Sequence, residues 1–269
     1  MLYLVATPIG NLGDFSPRAR AVLEAVDLVA CEDTRTSRQL FSLLGLKVKA
    51  TTAYHDFNEE KATENLIKKL QQGDDVALVS DAGMPLISDP GYRLVKACHE
   101  NNIPVTSIPG ANAVLTALQL SGLPTDKFYF GGFLPPKSSA RQGILKKVEN
   151  LPATLVFYET ARRLKEALSD IEKVLGNRPM VVVRELTKKF EEIKYGTPSE
   201  LGLYFSQNPK GEIVLVIEGA KEKGTRFPDI SIMDLRKNLS AKDTAYVWAL
   251  LTGKTKKEAY AEVLEHDKL

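Results

Sequence analysis

Short apolar runs rich in β-branched residues recur along the chain at residues 3–6, 28–31, 48–54, 75–79 and 103–108. Each ends in a polar or Gly/Pro-rich stretch, and helical spacing then takes over. Such runs mark strands buried on both faces, and spacing of three and four residues marks amphipathic helices. Ser16 before Pro17 predicts a helix start, with Ala19, Val22, Leu23 and Val26 on its inner face. Further helices are expected up to Leu44, where Gly45 stops the chain, and over 61–72, 92–100 and 114–120. Strand, loop and helix in repetition imply right-handed crossovers and a mostly parallel sheet.

After Gly122-Leu123-Pro124 the pattern restarts. Strands are predicted over 128–130, 154–158, 180–183 and 212–217, an alternating half-buried strand over 190–195, and a helix over 199–206. The polar, basic stretch 221–228 reads as a linker into short helices, one opened by Ser240 and Asp243 at capping-box spacing. The expected fold is therefore α/β, with two consecutive α/β domains over residues 1–115 and 116–220, and a linker with a small helical tail over 221–269.

The composition fits a folded globular protein: 269 residues, 43% hydrophobic and 26% charged. A net charge of +2 is too balanced to indicate nucleic acid by itself, so any basic surface must be local. Cys31 and Cys98 sit inside apolar runs and the three histidines are scattered, so neither a disulfide nor a metal is expected. Residues 1–5 run straight into a strand and no stretch approaches the length of a membrane span, from which no membrane association and a cytoplasmic location are expected.

The chemistry concentrates in the loops at the strands' carboxyl ends, where open α/β sheets bind ligands. The loop over 80–91, Ser80-Asp81-Ala82-Gly83-Met84-Pro85-Leu86-Ile87-Ser88-Asp89-Pro90-Gly91, is longer than a plain connection of about 2–6 residues. It carries two carboxylates, each of which would repel a phosphate oxygen 4 Å away by roughly 4 kcal/mol at an effective dielectric near 20. A cationic or phosphate-free nucleoside ligand fits better, and S-adenosylmethionine, with its sulfonium and amino group, is one. The alternative is that Asp81 and Asp89 only cap turns and helix starts. Glu32, Asp33 and Arg35 follow the second strand, where Asp33 or Thr34 equally suits a helix cap. His55 suits a loop better than a catalytic role. Lys137, Arg141, Lys146 and Lys147 suit either a solvated helix face or phosphate contacts.

Several of these strings occur together in one family. Thr7-Pro8-Ile9-Gly10-Asn11-Leu12-Gly13-Asp14, Cys31-Glu32-Asp33-Thr34-Arg35, Leu78-Val79-Ser80-Asp81-Ala82-Gly83, Ile87-Ser88-Asp89-Pro90-Gly91, Gly132-Phe133-Leu134-Pro135, Arg184-Glu185-Leu186-Thr187-Lys188 and Lys210-Gly211-Glu212 stand here in the family's order. From Tyr3 to the tail the chain resembles the small-subunit ribosomal RNA 2′-O-ribose cytidine methyltransferases of the tetrapyrrole (corrin/porphyrin) methylase superfamily. The resemblance implies S-adenosylmethionine held between two α/β domains, near Pro8, Ile9, Asp81, Ala82, Gly83, Met84, Ile87, Asn112 and Ala113, with Glu159 and Leu186 approaching from the second domain. Met84 replaces the family's usual Thr, and Ala111-Asn112 replaces a proline followed by a small residue. Backbone contacts there would tolerate both changes.

Methylation of a ribose 2′-hydroxyl requires alignment and removal of a proton. Glu32, Glu185 and Lys188 are the expected catalytic residues, with Asp33 a further candidate. Arg35, Arg162 and Arg184 are the expected phosphate contacts. The implied partners are small-subunit ribosomal RNA or the 30S particle and a second copy of the chain. A tetrapyrrole-type small-molecule methylase and a non-catalytic adenosyl-ligand-binding RNA module are the alternatives.

Overall fold

The computed structural model describes residues 1–207, 209–221 and 230–267. The chain divides into a compact unit Met1–Gly219 and a second unit Ala220–Leu269.

The first unit opens with β1 (Leu2–Val5), α1 (Pro17–Ala25), β2 (Leu28–Cys31), α2 (Thr34–Leu44), β3 (Thr51–Ala53), α3 (Glu59–Gln71), β4 (Val76–Val79), α4 (Tyr92–Glu100), β5 (Val105–Ile108) and α5 (Ala113–Leu120). Ser16 caps α1 by accepting from the Ala19 N–H at 3.1 Å. β3 is shorter than the 48–54 run suggests, and α3 starts two residues early, with Glu59 and Glu60 in a first turn that favours negative charge. The five strands form a parallel sheet in the order β3-β2-β4-β1-β5. Alternation divides β4 between two layers: Val76 and Leu78 pack under α3 and α4, with Leu66, Leu70, Leu94 and Cys98. Ala77 and Val79 pack on the opposite side, with Leu23 and Phe41 of α1 and α2. β1 and β4 are neighbours whose connections leave in opposite directions, the topology that opens a crevice at the strands' carboxyl ends.

The chain continues through β6 (Phe128–Phe133), α6 (Ser138–Val148), β7 (Thr154–Thr160), α7 (Leu164–Leu175), β8 (Met180–Arg184), β9 (Glu192–Gly196), α8 (Pro198–Tyr204) and β10 (Glu212–Ile217). These strands form a second sheet, β6-β7-β10-β8-β9, in which only β6 and β7 are parallel. One face carries α6, α7 and α8 over Leu155, Phe157, Val182 and Leu215. The other face meets Val114, Ala117 and Leu118 of α5, together with Ile9. Burying each such Val or Leu contributes about 1.5–3 kcal/mol. The division expected at 115/116 falls within α5, which lies in sequence with the first sheet and packs on the second.

The second unit contains α9 (Ile232–Arg236), α10 (Ala241–Thr252) and α11 (Lys256–His266), packed around Ile232, Ala245 and Val263. Ser240 caps α10 through the Asp243 N–H, but the Asp243 carboxylate bonds the Ser240 hydroxyl in place of a backbone N–H. Apart from Lys221, the stretch 221–228 read as a linker lies outside the described residues. Among the described residues no helix is long and apolar enough to cross a membrane, and no group of three or more His, Cys, Asp or Glu could hold a metal ion.

Candidate active site

The loops after β1 and β4 are joined by paired hydrogen bonds, Thr7 N to Gly83 O at 2.9 Å and Gly83 N to Thr7 O at 3.2 Å. The Thr7 hydroxyl adds a bond to Ser80 O at 3.3 Å. Gly83 has φ +84, and a Cβ there would stand 3.3 Å from Ile9, so glycine lets this crossing close. Further along the same loop, Leu86 and Ser88 take φ 71 and 70 without being glycine. Glu185 and Thr187 do likewise, at φ 52 and 63, in the loop after β8. Each such residue costs about 1–3 kcal/mol and persists only where its surroundings over-determine it. Both strained loops contribute to one cavity.

That cavity, of about 430 Å³, opens between the two sheets. Ile9, Asp81, Ala82, Gly83, Met84, Ile87, Asn112 and Ala113 line it from the first half, and Glu159 and Leu186 from the second. Of the residues expected to hold the cofactor, only Pro8 is absent from the wall; it is buried beside Thr7. Asn112 also caps α5, its Oδ1 accepting from the Leu115 N–H at 2.9 Å. Val183, Ile213 and Val214 supply an apolar floor.

The rim is acidic. Glu32 lines the cavity with Asp81 and Asp89, and Asp33 stands beside them. Burial raises the Glu32 carboxyl above its ordinary range, and Asp81, Asp56 and Asp33 push it in the same direction. Asp89 is pushed up to about 6 by burial, assisted by Glu32, Asp81 and Asp56, against a hydrogen bond from Ser80. Burial also raises Asp81, whose Oδ1 accepts the Asp33 N–H at 3.1 Å. A cationic ligand would relieve this repulsion and an anionic one would worsen it.

Glu159, 2% exposed, is held by the Thr160 N–H at 2.7 Å and by Arg163 at 2.6 Å, both on Oε1. Its Oε2 is buried without a partner among the described residues. Buried polar atoms are nearly always satisfied, so an unpaired acceptor on a residue of the cavity wall suits an N–H or O–H of a ligand. Phe133 and Tyr158, their rings 5.2 Å apart, add an aromatic wall.

The remaining expected site residues occupy different positions. Glu185 and Lys188 lie off the cavity wall in an ion-paired knot: Lys188 Nζ donates to Glu185 Oε1 at 3.0 Å and to Glu212 Oε2 at 2.9 Å. Burial works against the Lys188 ammonium, but the hydrogen bonds it donates to Glu212 and Glu185 outweigh it and raise the Lys188 pKa. A neutral Lys188 acting as a base is therefore not what this geometry provides. The Lys188 stem lies over Gly10, at φ +148, tying the loop after β8 to the loop after β1. Asp33 proves to be the cap of α2, accepting the Arg35 N–H at 2.7 Å and pairing with the Arg35 guanidinium at 2.9 Å, which holds it at about 2. Arg35 and Arg162 are exposed. Arg184 is committed to Glu192 at 2.8 Å and to Lys210 O at 2.8 Å.

Sequence reasoning did not place Asp89, Tyr158, Phe133 and Glu212 on the wall. Asp89 carried a signal as the second carboxylate of its loop. Phe133 follows a register shift in β6, which periodicity alone does not reveal.

The tetrapyrrole (corrin/porphyrin) methylase family profile matches residues 1–202. The chain is 46% identical to the ribosomal RNA small subunit methyltransferase I of Mesorhizobium japonicum, over 98% of this chain and 91% of that protein. It is 45% identical to the protein of the same name from Escherichia coli O157:H7, over 98% and 94%. Among solved structures, a diphthine synthase superposes with a TM-score of 0.63 at 14% identity, covering 81% of this chain and 89% of that one. A cobalt precorrin-4 methyltransferase gives 0.59 at 15% identity, covering 81% and 94%, so both show the shared fold. The chain belongs to the tetrapyrrole (corrin/porphyrin) methylase family.

Proposed function

We propose that this chain is an S-adenosylmethionine-dependent methyltransferase that methylates the ribose 2′-hydroxyl of a cytidine in small-subunit (16S) ribosomal RNA, free or within the 30S particle. The observation that carries the reading is the cavity between the sheets, whose wall combines acidic Asp81, Asp89 and Glu32 with buried Glu159, one oxygen of which, Oε2, has no partner among the described residues. These features fit the ligand: rim carboxylates for its sulfonium and amino charges, an acceptor for an N–H or O–H, and an apolar floor. When bound, S-adenosylmethionine supplies an electrophilic methyl group.

Asp81 and Asp89 attract the cation, and Glu159 with Asn112 and the 81–84 backbone orients it. Val183, Ile213 and Val214 exclude water from the floor. Glu32, on the rim and with a raised pKa, accepts the 2′-hydroxyl proton. Lys188 stays an ammonium that braces Glu185 and Glu212 and fixes the loop against Gly10. Arg162 is exposed and available to phosphates, Arg35 is exposed but shares its guanidinium with Asp33, and Arg184 is engaged by Glu192 of β9 and the Lys210 carbonyl. The names of the 45–46% identical relatives support the ribosomal substrate. Resemblance supports a cytoplasmic homodimer.

The test is to incubate the protein with S-adenosylmethionine labelled in the methyl group and small subunits from cells lacking the modification, then map the label by nucleoside mass spectrometry. Label on a cytidine 2′-oxygen is expected. Label on a base, or cofactor binding without transfer, would overturn the reading.

A further inference from the structure

Among the described residues, none of the C-terminal unit lines the cavity between the sheets, and this unit carries a groove of its own. A groove of about 550 Å³ runs between α10 and α11, lined by Lys242, Lys256 and Lys257, by Tyr246 and Tyr260, and by Asp243 and Ala245. All three lysines are exposed, and the tyrosines are 50% and 41% exposed. Lys256 Nζ sits 4.7 Å from the centre of the Tyr246 ring, so cation and aromatic face are presented together.

Charge in this unit is sorted by position. Asp234 pairs with Lys237, Asp267 with Arg236 and Glu262 with Lys254. Glu258 is occupied in the cap of α11 with Thr255, and Asp243, the groove's carboxylate, is bonded to Ser240. The groove lysines have no ion-pair partner among the described residues. Moreover, Lys242 stands in the first turn of α10, and Lys256 and Lys257 in the first turn of α11. A cation there opposes the helix dipole, so helix stability does not account for these lysines.

We propose that the α10–α11 groove is an RNA-docking surface, in which Lys242, Lys256 and Lys257 contact phosphates while Tyr246 and Tyr260 offer faces to unpaired bases. Lysines contact backbone phosphates without reading sequence, and aromatic faces stack on any base. Such a surface anchors the substrate and leaves the choice of nucleotide to the catalytic cavity. A second protein chain fits less well, because protein interfaces are depleted in lysine.

The proposal rests on ribosomal RNA being the substrate, and its test separates the two. In the full chain, Lys242→Gln, Lys256→Gln and Lys257→Gln are combined, with the triple Lys→Arg variant as rescue and circular dichroism to verify folding. Binding of small-subunit RNA is measured across a salt series. At about 0.1 M salt the Gln variant is expected to bind at least about tenfold more weakly, with a log–log salt slope shallower by about 2, while Arg restores both. In methylation assays KM for the RNA rises, while kcat at saturation and the affinity for S-adenosylmethionine hold. Unchanged RNA affinity and salt slope would overturn the proposal. So would a change in sedimentation-defined oligomeric state with RNA affinity unchanged, which would mark a protein interface. RNA binding that depends on the lysines without any methyl transfer would leave the groove standing and remove the catalytic reading.

Discussion

Replacing Asp89 with Asn is expected to make the protein more stable and a poorer cofactor binder, with both effects appearing only when the carboxylate would be ionised. In the folded chain Asp89 titrates at about 6, raised by burial and by Glu32, Asp81 and Asp56, whereas in an unfolded chain it titrates near 3.9. Between those values the folded state holds more protons, so stability falls as pH rises from about 4 to about 6, and the penalty is complete above that. Two pKa units correspond to about 3 kcal/mol. The carboxyl is partly exposed, and solvent screening reduces this to about 1–2 kcal/mol. For a body of this size the gain is a rise in Tm of about 2–8 °C. Thermal melts of wild type and Asp89→Asn at pH 8 and pH 4 check the sign: a gain at pH 8 that vanishes at pH 4. Calorimetry at pH 8 should show S-adenosylmethionine weakened by about tenfold, or about 1.4 kcal/mol. S-adenosylhomocysteine, without the sulfonium charge, should lose less. A variant that is less stable at pH 8, or that weakens both ligands equally, would refute the idea that the rim is a strained acidic cluster set for a cation.

Glu159→Gln, which leaves Arg163 without its carboxylate partner and changes the unpaired acceptor on the cavity wall residue, should weaken S-adenosylmethionine by at least about tenfold by calorimetry, as expected for a charged hydrogen bond of about 1.5–3 kcal/mol. Gly10→Ala would place a Cβ against the Lys188 stem and 3.0 Å from Thr187 Oγ1, at a φ of +148. It should cost about 1–3 kcal/mol in urea unfolding and slow single-turnover methylation. Asp170→Asn breaks a pair in which Arg141 and Asp170 are each 3% exposed and 2.6 Å apart. It should lower stability by about 3–5 kcal/mol while leaving cofactor affinity of the folded protein unchanged.

The first sheet was legible because β1, β2 and β4 are apolar runs followed by helices, and such units have one handedness. The second sheet was less so. Runs such as Met180–Arg184 and Glu212–Ile217 are buried on both faces and read alike whether parallel or antiparallel, so pattern could not show that β10 runs against both β7 and β8. α5 shows a further limit: its sequence position assigns it to the first half, but its apolar face is satisfied by the second. At the site, the acids of the 80–91 loop were visible as charge, and the family motifs indicated Glu159 and Leu186. Pairing was invisible. Lys188 is an ammonium because Glu212, 24 residues away, meets it, and Arg184 is engaged because Glu192 and the Lys210 carbonyl do. Such partnerships come from the tertiary fold, and local sequence carries no trace of them.

A crystal structure of the protein soaked with S-adenosylmethionine reads directly whether the cavity between the two sheets holds the methyl donor. Density for the ligand is expected against Asp81–Met84, Asn112 and Glu159, with its methyl group directed toward Glu32. Ligand density elsewhere on the chain, or an unchanged cavity in crystals of protein that binds the ligand in solution, would contradict this placement.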